Sequence, residues 1–177
     1  MQPVVCLVGP RCVGKTTVGA ALAQALGWPF TDLDEELVRV WREDTDAEHW
    51  PQAGELLESL GLDAFRALEE RALEAILAAG GPRVLATGGG CVERATNRAR
   101  LLAAKCFWMS ADPELLQRRL AADPAPRPGL DGGCGGAELP AQMTRREPLY
   151  AEIGGEPIDL GDASVGEWVT LLCKRLG

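Results

Sequence analysis

The sequence predicts a three-layer α/β/α fold around a parallel sheet of about five strands, and three observations predict it. Apolar runs of strand length alternate with amphipathic stretches of helix length. The first apolar run passes through a glycine-rich turn directly into a helical pattern. The length of 177 residues, with 46% apolar and 25% charged side chains, suits a single domain over 1–177 that can bury a full core.

The elements follow in order. Pro3 to Val8 is a continuous apolar run, as a strand buried on both faces requires. Residues 15–26 continue as a helix that Gly27 stops. Pro29 to Thr31 reads as a second, short strand. A long helix over 62–79 places Phe65, Leu68, Ala72 and Ile76 on one face, and Gly80-Gly81-Pro82 ends it. Arg83 to Ala86 is a strand running into Gly88-Gly89-Gly90. A helix over about 96–104 precedes a strand from Lys105 to Met109. Asp112-Pro113-Glu114 supplies an N-cap, a first-turn proline and a first-turn acid for a helix to about Ala122. A helix around 138–150 and a short strand at 157–160 come next, and Ser164-Val165-Gly166-Glu167 is a capping box opening the last helix.

Two stretches break this rhythm. Residues 41–61 hold Trp41, His49, Trp50 and many acids with weak periodicity; they fall in a segment, about 33–61, expected to bind the acceptor. Residues 123–137, with three prolines and five glycines, read as a mobile loop that would serve as a lid.

Charge and composition exclude several chemistries. The formal net charge of −8 argues against nucleic-acid binding, which needs a basic surface. With His49 the one histidine, a Ser-His-Asp triad or a histidine-rich metal site is not expected. The six cysteines include no C-x-x-C pair, which fits a reduced, cytoplasmic protein. The N-terminus lacks the basic start of a signal peptide, and no apolar run reaches the ~20 residues of a membrane helix. No large apolar stripe is left over for an interface, so a monomer is expected.

Gly9-Pro10-Arg11-Cys12-Val13-Gly14-Lys15-Thr16 fits G-x-x-x-x-G-K-[ST] between a strand and a helix, the context that identifies a phosphate-binding P-loop. Glycines let the backbone turn its N–H groups inward at phosphate oxygens, and the helix N-terminus adds its dipole. Lys15 then reaches the β- and γ-phosphates, and the Thr16 hydroxyl takes Mg²⁺.

The acceptor side is less local. If the chain stays extended at Asp32-Leu33-Asp34, both carboxylates face the same crevice, one holding Mg²⁺ through water and the other taking a proton from an attacking hydroxyl. The plainer alternative is a helix N-cap followed by a first-turn acid. Arg66 beside its helix's apolar face suits a carboxylate grip, or an ion pair with Glu69 or Glu70. Gly88-Gly89-Gly90 would bring backbone N–H groups to a ligand. Arg145 and Arg146 would end a helix, as would Arg118 and Arg119, and Arg127 sits in the expected lid.

Taken together, G-P-R-C-V-G-K-T-T at 9–17, D-L-D at 32–34, F-R-A-L-E at 65–69, A-T-G-G-G at 86–90, R-P at 127–128 and R-R-E-P-L-Y at 145–150 resemble the shikimate kinase family over nearly the whole chain. The resemblance implies ATP-dependent phosphorylation of the 3-hydroxyl of shikimate. It implies that Cys12, Val13, Gly14, Lys15, Thr16 and Thr17 wrap the ATP phosphates, with Arg119 against the adenine and Arg127 acting from the lid. Shikimate would be held by Asp34, Arg66, Gly88, Gly89, Gly90 and Arg146, the two arginines on its carboxylate and Asp34 on the reacting hydroxyl. Thr16 would bind Mg²⁺ directly, with Asp32 in its water shell. Catalysis would then rest on Lys15, Asp34 and Arg127.

Three departures from the family pattern stand out. Gly61-Leu62 replaces the usual Gly-Glu, the stretch from Asp34 to Arg66 is longer than usual, and Cys12 stands where glycine is common. A related kinase for another hydroxy acid such as gluconate, or a nucleotide-binding regulatory module without turnover, are the alternative readings.

Overall fold

The computed structural model describes residues 4–122, 139–159 and 161–177. Five strands form one parallel sheet in the order β2-β3-β1-β4-β5: β1 (Val4–Val8), β2 (Phe30–Asp32), β3 (Arg83–Ala86), β4 (Lys105–Ser110) and β5 (Ile158–Asp159). The central strand β1 pairs with β3 and β4, Cys6 lying opposite both Leu85 and Cys106.

The alternation of side chains along these strands divides the core into two layers. On one face Val5, Leu7, Val84, Phe107 and Met109 pack with α1 (Lys15–Leu26), α6 (Pro113–Ala121) and α8 (Val165–Leu176). On the other, Cys6, Val8, Leu85, Cys106 and Trp108 meet α2 (Leu33–Thr45), α4 (Leu62–Ala79) and α5 (Ala95–Leu101). Helix α7 (Leu139–Gly154) reaches both layers, Leu139 and Met143 in the first and Tyr150 and Ile153 in the second. The expected α/β/α layering is therefore present. The caps are also where the sequence puts them: Gly27 closes α1 at φ +66°, Asp112 Oδ1 accepts from the N–H groups of Glu114 and Leu115, and Ser164 and Glu167 cap α8 reciprocally.

Four expectations change. Residues 41–61, expected to break the rhythm, are largely helical: α2 continues to Thr45 and α3 covers Ala53–Leu60. Leu33, Leu37, Val38 and Val40 of α2 are buried against the sheet, so packing outweighs the polar run around them. Strand β2 extends to Asp32, which places that carboxylate at the strand's carboxyl end. Helix α5 stops at Leu101, three residues early, where the chain turns into β4. Helix α7 runs through Pro148 to Gly154, because burial of Tyr150 and Ile153 holds the turns after the proline on the core. Gly154 is needed there, since a Cβ would come within 2.8 Å of the Trp108 backbone nitrogen. The lid expected at 123–137 and its Arg127 lie outside the described residues.

Helices α2 and α3 stand over the carboxyl ends of β2 and β3 and so build one wall of the crevice used below. Leu37→Ala, at a fully buried position, is expected to cost about 2–5 kcal/mol in urea unfolding, as for other leucine deletions in packed cores. A loss below about 0.5 kcal/mol would mean that α2 is not packed as described.

Candidate active site

The loop after β1 is shaped by backbone constraints that few residues satisfy. Gly9 has φ +144°, and a Cβ there would lie 2.1 Å from the Met109 carbonyl oxygen. Cys12 has φ +62° and Gly14 φ +101°, left-handed conformations that glycine adopts most easily. A cysteine where glycine is common thus keeps the glycine backbone. Gly14 is the N-cap of α1 and brings no side-chain cap, so the first-turn N–H groups remain for an anion.

Lys15 is buried, and its Nζ donates to the carbonyls of Gly9 at 2.9 Å and Pro10 at 2.7 Å, folded onto the loop it serves. Cys12, Gly14, Lys15, Thr16, Thr17 and Arg119 line the cleft above the loop. The Val13 side chain is instead buried in the core, so this residue can meet a phosphate only through its backbone. Arg119 also makes a long ion pair, 3.6 Å, with the exposed Asp162, which leaves it easily recruited.

Thr16 Oγ1 donates to Asp32 Oδ2 at 2.8 Å, while Asp32 Oδ1 accepts from the Asp34 N–H at 2.9 Å. Asp32 is thus the N-cap of α2 and Asp34 lies in that helix's first turn. The extended geometry expected for Asp32-Leu33-Asp34 is not found; the capping alternative is. Both carboxylates nonetheless line the same cleft, because the cap turns Asp34 over the end of the sheet. Thr16 and Asp32 fit a hard cation: the hydroxyl donates a hydrogen bond to Asp32, which leaves its oxygen lone pairs for a metal, and the carboxylate is near enough to act through water.

A second cleft adjoins the first, and the two share Arg11, Asp34, Gly88 and Gly89 as a common wall. Ala53, Gly54 and Leu57 of α3, with Phe65, form its apolar side; Arg66 and Arg146 form its basic side. Both arginines are buried. Arg66 Nη1 donates to both oxygens of Glu69 at 3.0 Å, and Arg66 Nη2 to Glu93 Oε2 at 2.8 Å. Arg146 Nε donates to Glu93 Oε1 at 3.1 Å and its Nη1 to Gln142 Oε1 at 3.3 Å. Arg66 Nε is buried without a hydrogen-bond acceptor, and Arg146 Nη2, 3.0 Å from Glu93 Oε1, makes an ion pair there without hydrogen-bond geometry; an anion in the cleft would offer both an acceptor.

The three glycines also leave room for neighbouring side chains. A Cβ on Gly90 would sit 1.8 Å from Arg66 Nη2, so its absence makes room for the guanidinium. A Cβ on Gly88 would lie 3.1 Å from both Asp34 Oδ1 and Glu69 Oε1, and one on Gly89 3.2 Å from the Arg11 nitrogen. Tyr150 Oη donates to the Gly89 carbonyl at 2.5 Å and fixes the turn; burial pushes this phenol's pKa well up. Arg145 and Arg146 lie inside α7 rather than at its end, so dipole pairing does not explain them.

Glu93, Gln142, Tyr150 and Arg11 carry no role in the sequence-based expectations, whereas the α3 wall falls within the 33–61 segment expected on the acceptor side. Tyr150 stood in the R-R-E-P-L-Y motif and could have been found there; Glu93 carries no local signal.

The site's similarities are specific. The shikimate kinase family model matches residues 11–176. Shikimate kinase 2 of Yersinia pseudotuberculosis serotype O:3 (strain YPIII) is 37% identical over 163 residues, 90% of this chain and 87% of that protein. A shikimate kinase of Nitratidesulfovibrio vulgaris (strain Hildenborough) is 42% identical over 162 residues, with the same shares covered. The structure of the shikimate kinase from Acinetobacter baumannii in complex with shikimate superposes with a TM-score of 0.81 at 27% identity, covering 99% of this chain and 93% of that one.

Burial pushes the Glu69 carboxyl from its ordinary 4.5 up to about 7; Arg66 opposes the shift and the nearby Asp34 adds to it. Folding therefore favours the protonated form. That contribution is complete below pH 4.5 and is lost as pH rises through about 7. From about pH 5 to about pH 8 the unaltered chain should lose about 2 kcal/mol of stability relative to Glu69→Gln in urea unfolding. A difference that does not move with pH would contradict this assignment.

Proposed function

The chain belongs to the shikimate kinase family, and we infer from that premise and from the site that it transfers the γ-phosphoryl group of ATP to the 3-hydroxyl of shikimate. The observation that carries the residue roles is Asp34, which stands in the wall shared by the nucleotide cleft and the arginine-lined cleft. A hydroxyl held on the arginine side meets a phosphoryl group held on the loop side only at that wall.

In this reading the backbone N–H groups of the loop from Cys12 to Thr17 cradle the ATP phosphates, and Lys15 leaves the Gly9 and Pro10 carbonyls to bind the β- and γ-phosphates. Thr16 and, through water, Asp32 hold Mg²⁺, which when bound would neutralise charge on the phosphate oxygens. Arg119 lies against the adenine, and Arg127 acts from the segment beyond Ala122. Arg66 and Arg146, each with a buried nitrogen that makes no hydrogen bond, receive the shikimate carboxylate in a charge-assisted contact. Gly88, Gly89 and Gly90 let the ring approach the backbone. Asp34 orients the 3-hydroxyl and takes its proton as the oxygen attacks phosphorus.

This reading makes residues 1–177 one catalytic unit, a cytoplasmic monomer acting on small molecules and not on nucleic acid. Among the described residues no helix is long and apolar enough to cross a membrane.

A coupled ADP-release assay with Mg-ATP and shikimate, quinate, gluconate or no acceptor tests the reaction. Turnover is expected with shikimate. Asp34→Asn should lower kcat by about 10²–10⁴-fold, as loss of a general base does. Arg66→Ala should raise KM for shikimate by about 10²-fold while sparing KM for ATP. Turnover of gluconate in preference to shikimate would overturn the acceptor assignment, and ATP binding without any turnover would favour the regulatory alternative.

A further inference from the structure

Glu93 lies on the short 3-10 turn Cys91–Glu93 that follows the glycines, and three arginines from two helices converge on it. Its Oε2 accepts from Arg66 Nη2 of α4 at 2.8 Å. Its Oε1 accepts from Arg145 Nη2 at 2.6 Å and Arg146 Nε at 3.1 Å, both of α7. Arg146 Nη2 is 3.0 Å from the same oxygen but out of line for a hydrogen bond. Burial works to raise the pKa of Glu93, but Arg146 and Arg66 outweigh it and hold the carboxyl below its ordinary value. It is therefore a carboxylate at neutral pH.

Arg66 and Arg146 line the acceptor cleft, whereas Glu93 does not. It bonds both arginines and leaves one buried nitrogen on each, Arg66 Nε and Arg146 Nη2, without a hydrogen bond. Two guanidinium groups repel, so a grip on one small anion needs something that holds them at a fixed separation. Glu93 ties α4 to α7 at that point. The opposing effect is charge alone: a carboxylate near an anion site disfavours the anion, so its removal would tighten binding. The two expectations have opposite signs.

We propose that Glu93 is a positioning residue for the acceptor: by bridging Arg66 to Arg146 it sets the spacing at which their remaining N–H groups close on one carboxylate of the substrate. The proposal rests on the acceptor assignment above, and the test separates the two. Glu93→Asp keeps the charge but withdraws it by about 1.5 Å, one carbon–carbon bond; Glu93→Ala removes the bridge. Steady-state kinetics of the unaltered chain and both variants are measured with shikimate and with its carboxamide analogue, and thermal unfolding is followed in parallel.

The unaltered chain should turn over shikimate. Glu93→Asp should raise KM for shikimate about 5–10-fold and Glu93→Ala at least as much, with kcat and KM for ATP within about two-fold. With the carboxamide, whose neutral group does not draw on two positioned cations, the variant penalty should shrink to about two-fold or less. An unchanged or lowered KM for shikimate in Glu93→Asp overturns the proposal. So does an equal penalty on both acceptors, which marks a merely structural role. If Glu93→Ala does not fold, the aspartate variant decides by the same criteria. Failure of the unaltered chain to phosphorylate shikimate overturns the acceptor assignment, and the proposal with it.

Discussion

Asp32 is the point on which the two halves of the site depend. One oxygen accepts from Thr16 at the start of the helix that follows the phosphate loop; the other caps the helix that carries Asp34. A carboxylate at the end of β2 therefore fixes the phosphate-binding loop and the acceptor-side helix relative to each other. The cap satisfies an N–H that the helix would otherwise leave unpaired, so the same bond stabilises α2 and aims its first turn.

The acceptor side shows how an acidic chain holds an anion. Among the described residues, Arg66, Arg145 and Arg146 face Glu69 and Glu93 in one cluster of ion pairs. Buried charges of one sign are costly unless partners satisfy most of their hydrogen bonds. Here the partners satisfy all but a few N–H groups, and a ligand carboxylate would supply those. Gly90 is part of the same design, because any side chain there would displace the Arg66 guanidinium. The raised pKa of Glu69 reflects the cost of packing a carboxylate beside Asp34 in a dry wall, even with Arg66 against it.

The phosphate loop was legible because its chemistry is local: left-handed glycines, a helix start and a lysine at fixed spacing leave little for tertiary structure to decide. The sheet strands and the long helix α4 were legible for the same reason, as their periodicity and stop signals agree. Helix α2 was harder. Leu33, Leu37, Val38 and Val40 do carry helical spacing, but the acids at its start and the charged run from Arg42 to Glu48 mask it. Helix α3 begins at Gln52, where Glu55 reaches back to the Gln52 N–H without the serine, threonine, aspartate or asparagine that usually signals a cap. Arg66 was singled out, and its i+3 pairing with Glu69 on α4 was among the readings its spacing offered; its other partner, Glu93, meets it only when α4 and the glycine turn come together. Glu93 lies 27 residues from Arg66 and 53 from Arg146, so no local pattern links them.

The position at which the phosphoryl group lands tests the role of Asp34 most directly. Phosphorus–proton correlation NMR of the product from Mg-ATP and shikimate reads that position without reference to rates. A phosphorus signal coupled to the ring proton at carbon 3 is the result predicted if the hydroxyl beside Asp34 is the nucleophile. A phosphate ester at another hydroxyl, or ADP and free phosphate with no ester formed, would contradict it.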